Sequence, residues 1–187
     1  YYFTLCISCS VYSCMTGTWF EVERSFYLME ISVSCTDTLI ENIFSCFMEI
    51  DIFPLLIGVY LLLKNRYFTV TRSGSRSTSH GVGIPSYNGS SIFRYKLNNR
   101  MPYVIGRLLP GAGQYNVLFT DYNQFAIIWS CTILSSGHDR IWVLGREREI
   151  GAEVRAQIYA IMTELHLDPD RLIISKNNNC TVYANTQ

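Results

Sequence analysis

Charge is scarce in this chain of 187 residues: only 16% of positions are Asp, Glu, Lys or Arg, and 15 cationic residues balance 15 acidic ones. That balance excludes a global field able to recruit nucleic acid, an anionic membrane surface or an acidic partner. Arg66, Arg72 and Arg76 lack interleaved stacking aromatics, so they read as a solvated loop rather than a nucleic-acid patch. Histidine is scarcer still, and His80, His138 and His166 have no spacing that assembles a metal site or a nucleophile's base. The seven cysteines, Cys6, Cys9, Cys14, Cys35, Cys46, Cys131 and Cys180, show no paired CxxC spacing of the kind a zinc site needs. No catalytic constellation, metal site or cofactor motif is therefore expected. A membrane-crossing run is missing too. The stretch 43–63 is interrupted by Glu49, Asp51 and Pro54, and its uniformly apolar part, 52–63, is too short to span a bilayer comfortably.

Apolar and aromatic residues are abundant, at 49% and 14%, with 13 Tyr and 10 Phe. The length suffices for one sizeable core, and the aromatic share suits either a strand-rich fold or an apolar cavity. Cysteines spread along the chain, with the sequons Asn88-Gly89-Ser90 and Asn179-Cys180-Thr181, fit an oxidising, extracellular compartment and make Asn88 a glycosylation candidate. An odd cysteine count leaves at least one unpaired.

The pattern is clearest from residue 115 onward. Residues 115–120 and 125–133 are β-branched and aromatic runs flanking Asp121-Tyr122-Asn123-Gln124, which predicts a β-hairpin. Residues 140–146 add a third strand of the meander, 91–97 a strand before it, and 18–25 a strand near the beginning. The period then changes. Val154, Ile158, Ile161, Met162 and Leu165 form the stripe of an amphipathic helix that Pro169 should end, and 172–175 reads as a last short strand. Many strands and one late helix predict an all-β antiparallel barrel with a C-terminal α-helix packed outside it. The middle is less regular: 36–44 fits strand or helix, 52–63 has neither period, and the Ser, Gly and Arg of 72–81 read as a loop.

Three short motifs, in order, carry a resemblance. Gly17-Thr18-Trp19 opens the first strand, Thr120-Asp121-Tyr122 sits at the turn between two late strands, and Arg146 follows the strand 141–145. This arrangement resembles the lipocalin family, most closely insect apolipoprotein D-like lipocalins, over 26–30 and about 90–180 as well as the first motif. The resemblance implies an eight-stranded up-and-down barrel over 17–180, with 1–16 and the apolar 43–63 as atypical segments and 181–187 as a tail. It also implies extracellular transport of a small hydrophobic ligand, such as a lipid, retinoid, steroid, pheromone or tetrapyrrole, with transient contact to a lipid surface as a further partner reading. A guanidinium over an indole would plug the closed end, so Gly17, Trp19, Thr120, Asp121, Tyr122 and Arg146 form the expected barrel-closing set.

Side chains two apart on a strand share a face, so Trp142 and Leu144 are expected to point inward with Arg146, and Tyr115, Val117 and Phe119 to share one face. The resemblance places Tyr115 inside the cavity, which makes Tyr115 and Trp142 the leading ligand contacts, with Tyr95, Leu97, Val117, Phe119 and Leu144 behind them. It also implies a Cys35–Cys180 disulfide, and a disulfide at Cys131 whose partner lies before Gly17. Two other classes compete with the carrier reading. One is a lipocalin-type isomerase with a free, inward cysteine, for which Cys46 is the opening if Cys35 is bonded; the other is a membrane-associated protein held by 52–63.

Overall fold

The computed structural model describes residues 14–26, 33–45, 58–69, 75–86, 91–97, 113–130, 139–177 and 180; at 33, 42–45, 58–69, 75–79, 96 and 97 the backbone alone is described. Nine strands form one antiparallel sheet: β1 Gly17–Ser25, β2 Val33–Ser45, β3 Gly58–Thr69, β4 Ser75–Pro85, β5 Ile92–Leu97, β6 Gly113–Thr120, β7 Phe125–Ser130, β8 Arg140–Gly145 and β9 Leu172–Ile174. Each of β1 to β7 pairs with the next, and β8 pairs back onto β1, so the ladder returns on itself. That closure removes the exposed edges an open sheet would carry.

β1 pairs with both β2 and β8, sharing Phe20 between Asp37 and Gly145, and its register against β8 shifts between Glu21 and Glu23. Before the shift Gly17, Thr18, Trp19 and Phe20 face Ile40, Leu39, Thr38 and Asp37 of β2; beyond it Glu23 and Arg24 face Val143 and Trp142 of β8, and β9 lies alongside. A bulge bends a strand and increases its twist, which is what a strand shared between two sides of a barrel requires.

Two apolar clusters follow from strand alternation. The inner one holds Met15, Trp19, Ile40, Phe93, Tyr95, Ala126, Ile128 and Leu144, with Tyr115, Val117, Tyr122 and Trp142 packed against it. The outer one joins Val22, Phe125, Ile127, Ile141 and Val143 to Ile158 and Met162 of the helix. β7 is therefore buried on both faces, which explains why Phe-Ala-Ile-Ile reads as a continuous apolar run.

The helix, α1, spans Ala152–Glu164 and presents Ile158 and Met162, four residues apart, to the barrel wall. Leu165, expected to finish the buried stripe, is instead the C-cap and lies exposed. The helix also ends before Pro169. His166 turns into the left-handed region at φ 59°, its N–H donates to the Thr163 carbonyl, and the Leu167 N–H donates to the Met162 carbonyl at 2.8 Å. This is the Schellman pattern of helix termination. Pro169 opens a short 3-10 helix, Pro169–Arg171, that leads into β9.

A polar latch supplements the apolar contact. Glu23 is 1% exposed, and its carboxylate accepts from Arg155 Nε at 2.7 Å and from the Tyr159 hydroxyl at 3.0 Å. A buried carboxylate is costly unless paired, and two donors four apart on one helix face offset that cost.

One expectation for the middle of the chain is corrected. The loop read into 72–81 is strand from Ser75 onward, paired with β3 on one side and β5 on the other. Local composition disfavours a strand there, but the continuous ladder with β3, joined by β5 from Gly81 onward, overrides it. Of the apolar 43–63 run, to which no element was assigned, both ends are strand: β2 continues to Ser45, β3 begins at Gly58, and Ser45 pairs with Gly58. Among the described residues no helix is long and apolar enough to cross a membrane.

Candidate functional site: the barrel interior and its closed end

At the Trp19 end of the inner cluster the contacts are built around Arg146. Its guanidinium carbon lies 3.7 Å from the centroid of the fully buried Trp19 indole. Arg146 Nε donates to the Tyr122 carbonyl at 3.1 Å, Nη1 to those of Thr16 at 3.0 Å and Thr18 at 3.2 Å, and Nη2 to that of Cys14 at 3.3 Å. Burial holds the Arg146 pKa below its ordinary value while the Asp121 charge opposes that shift. The Trp19 indole N–H donates to the Met15 carbonyl at 2.8 Å, which fixes the ring beneath the guanidinium. Gly17 has φ +101°, and a Cβ there would stand 3.1 Å from Arg146 Nη1. The positive φ favours glycine at that position, and the close guanidinium adds to the strain any side chain there would meet.

The turn that meets Arg146 is held by two side chains. Asp121 Oδ1 accepts from the backbone N–H groups of Asn123, Gln124 and Phe125. Thr120 Oγ1 accepts from the Tyr122 N–H and donates to the Phe125 carbonyl. Tyr122 thereby sits at φ 64°, unusual for a non-glycine residue, with its carbonyl turned to Arg146. The three motifs recognised in the sequence are thus brought together in space.

Further up the interior four aromatic rings converge. Tyr115 stacks on Phe93 with centroids 5.6 Å apart, meets Tyr95 edge-on at 6.1 Å, and faces Trp142 at 5.5 Å. Val117, Ile128 and Leu144 belong to the same interior set. Phe93 was not singled out from sequence, although its parity with Tyr95, two residues on, was the available signal. Gly81 was missed as well: a Cβ there would overlap the Tyr95 ring, so this glycine makes room for it. An isolated glycine in a strand often marks such a close approach.

Phe119 is a correction. The β6–β7 register shifts between Val117 and Phe119, so Phe119 packs in the outer cluster and stacks on Phe125 at 5.4 Å instead of sharing the interior face of Val117. Leu97 pairs with Gly81 through its backbone, but its side chain lies outside the described set, as do Asn88, Cys46 and Cys131 entirely.

Cys35 and Cys180 are joined by a disulfide across a sequence separation of 145, which ties the C-terminal segment to β2. The Cys35 N–H donates to the Lys176 carbonyl beside it. Cys14 is also disulfide-bonded, to a residue outside the described set.

Comparison with known proteins places this architecture. No family profile matches the chain. Among solved structures, the cockroach allergen Per a 4 is 16% identical, covers 97% of both chains and superposes with a TM-score of 0.63. Insecticyanin of the tobacco hornworm Manduca sexta is 14% identical, covers 89% of this chain and 80% of its own, and gives 0.63. The class of protein is set by this likeness together with the ring of strands and the outer helix: the chain has the lipocalin fold.

Sequence similarity is narrower. Apolipoprotein D of Cavia porcellus is 37% identical over 114 residues, and that of Oryctolagus cuniculus 36% over 114 residues; each match covers 60% of this chain and 53% of the relative. The chain therefore spans about half the length of these curated relatives, and over that part it is similar to apolipoprotein D.

Proposed function

We propose that the protein is an extracellular carrier that binds a small hydrophobic ligand inside its barrel. The observation that carries this reading is the convergence of Phe93, Tyr95, Tyr115 and Trp142 on one interior face, with Val117 and Leu144 beside them. Tyr115 and Trp142 are only half-buried, so they still have apolar surface to cover. Covering it returns roughly 25 cal/mol per Å², which favours a flat or elongated lipid over a polar metabolite. Arg146 over Trp19 supports a plug at one end of the barrel, and the Cys35–Cys180 disulfide suits an oxidising compartment. Similarity to apolipoprotein D supports the same reading.

The isomerase reading needs an inward thiolate, and Cys35 is unable to provide one because it is disulfide-bonded. Titration with a retinoid, a fatty acid and a steroid, followed by tryptophan fluorescence, tests the carrier reading. At least one should quench saturably, and the effect should be lost when Tyr115→Ala and Trp142→Ala are combined. Absence of quenching by all three, or quenching that survives the double substitution, would refute binding at this face.

A further inference from the structure

The ring of β1 to β8 closes, but β9 lies outside it. Among the described residues β9 pairs with β1 alone, through Leu172, Ile173 and Ile174 opposite Ser25, Arg24 and Glu23. In an antiparallel ladder the backbone groups of successive residues point alternately to the two sides. The Ser175 N–H donates to the Val22 carbonyl, so Ser175 and Ile173 turn their backbone groups toward β1, while Leu172 and Ile174 turn theirs away. Lys176 also turns away, and its carbonyl is taken by the Cys35 N–H. The 3-10 helix Pro169–Arg171 bounds the strand at its other end. The outer edge of β9 therefore presents the N–H and C=O groups of Leu172 and Ile174.

The side chains at this edge are apolar and open to solvent: Ile174 is 65% exposed, Ile173 38%, and Phe26, next to the Ser25 partner of Leu172, 60%. Edge strands ordinarily carry a charge, a proline or a bulge that discourages pairing, and Leu-Ile-Ile carries none of these. The edge is also self-complementary. With two copies antiparallel and Ile173 opposite Ile173, Leu172 of each copy faces Ile174 of the other, so every outward N–H meets an outward carbonyl. Other centres fail. Centring on Leu172 sets Ile174 against Asp170 in the 3-10 helix, and centring on Ile174 sets Leu172 against Lys176, whose carbonyl is occupied. The Ile173-centred register also brings the exposed Asp170 of one copy to the exposed Lys176 of the other, opposite charges at both ends. Lys176 has a contact within its own protomer, so these charges guide the register more than they supply affinity.

We infer that β9 is the pairing edge of a symmetric homodimer: a second copy of this chain adds its own β9 antiparallel, centred on Ile173, and covers Ile173 and Ile174 of both copies. So short a ladder makes a small interface, and the dimer exchanges with monomer in the micromolar range. The barrel interior takes no part in it, so this pairing stands independently of the carrier reading.

Sedimentation velocity of the full chain, over about a hundredfold range of concentration and without reductant, should show a reversible shift from monomer toward dimer. Ile174→Lys puts a charge on the edge and should weaken association at least about tenfold. Ile84→Lys, at an exposed isoleucine of β4, should leave it unchanged. Thermal unfolding of both variants reports that they are folded. Ile173→Cys gives an independent measurement. Residues facing each other in a non-hydrogen-bonded antiparallel pair have Cα atoms about 4.5 Å apart, within disulfide reach. This variant should therefore form a covalent dimer under mild oxidation, beyond any that the native cysteines give. A chain that stays monomeric at the highest concentration would overturn the pairing. So would a dimer undisturbed by Ile174→Lys or weakened equally by Ile84→Lys, and so would Ile173→Cys that cross-links no more than the native chain.

Discussion

The Arg146 guanidinium lies flat over the Trp19 indole at 3.7 Å, and the same side chain donates to the carbonyls of Cys14, Thr16, Thr18 and Tyr122. One cation thus satisfies backbone from the segment before β1, from β1 itself and from the β6–β7 turn. Strand pairing alone leaves these segments unconnected at the barrel's end.

Arg146→Ala should cost about 3 kcal/mol, because several carbonyls lose a charged donor and the indole loses its cation. Arg146→Lys should recover only part of this, since an ammonium keeps the charge but lacks the planar fork that spans the carbonyls. Urea denaturation of the three proteins checks both the loss and the partial recovery. Equal stability of Arg146→Ala and the native chain would show that the end is held by other contacts.

The latch between α1 and β1 has a pH signature. Burial, followed by the Glu23 hydrogen bond and charge, raises the Tyr159 pKa above its ordinary value of 10.0. A raised pKa means that the folded state holds the proton more tightly. The contribution is complete below the unfolded value and lost as pH rises through the folded one. Stability should therefore decline above about pH 10, and Tyr159→Phe should flatten that decline while costing about 1 kcal/mol near neutrality. Thermal unfolding from pH 7 to 11 reads both effects, and parallel pH profiles for the two proteins would contradict the assignment.

The Cys35–Cys180 bridge closes a loop with a sequence separation of 145. Under the chain-entropy account such a loop contributes about 4–5 kcal/mol, less any residual structure in the reduced chain. Replacing both cysteines by serine should lower the denaturation midpoint accordingly. The bond to Cys14 should persist in that variant, as peptide mapping without reduction can verify.

What could be read from the sequence depended on how local its cause was. The β6–β7 hairpin, β8, β9 and α1 carry their own periodicity and turn residues, so they were legible in advance. β3 and β4 were not. Positions 58–63 are apolar without alternation, 75–81 are Ser, Arg, Thr, His and Gly, and both become strand by pairing with the strands before and after them, which their own residue types do not announce. The interior set was legible wherever parity ran unbroken, as at Tyr115, Val117, Trp142 and Leu144. It failed at Phe119, because nothing in Val117-Leu118-Phe119 distinguishes a bulged strand from a regular one when apolar residues suit both faces. The Glu23 latch also escaped notice, since a glutamate in an apolar strand looks solvated until Arg155 and Tyr159 of the helix are laid against it.

Gly81 offers the sharpest test of how tightly the interior is filled. Its backbone is pinned on both sides, opposite Leu63 in β3 and Leu97 in β5, so it has little room to retreat. The Tyr95 ring lies directly over it, is 5% exposed, and meets Tyr115 edge-on. In Gly81→Ala the new methyl must push the ring toward Tyr115, and such overpacking costs about 1–3 kcal/mol. The displaced ring should also narrow the face offered to a ligand and weaken binding. Tyr95→Phe would not relieve the clash, because ring carbons as well as the hydroxyl are involved. Tyr95→Val would relieve it, at the expense of a cavity. The double variant should therefore be more stable than the sum of its parts by at least about 1 kcal/mol in a mutant cycle. Additive costs would mean that the ring moves aside freely and that Gly81 is there for some other reason.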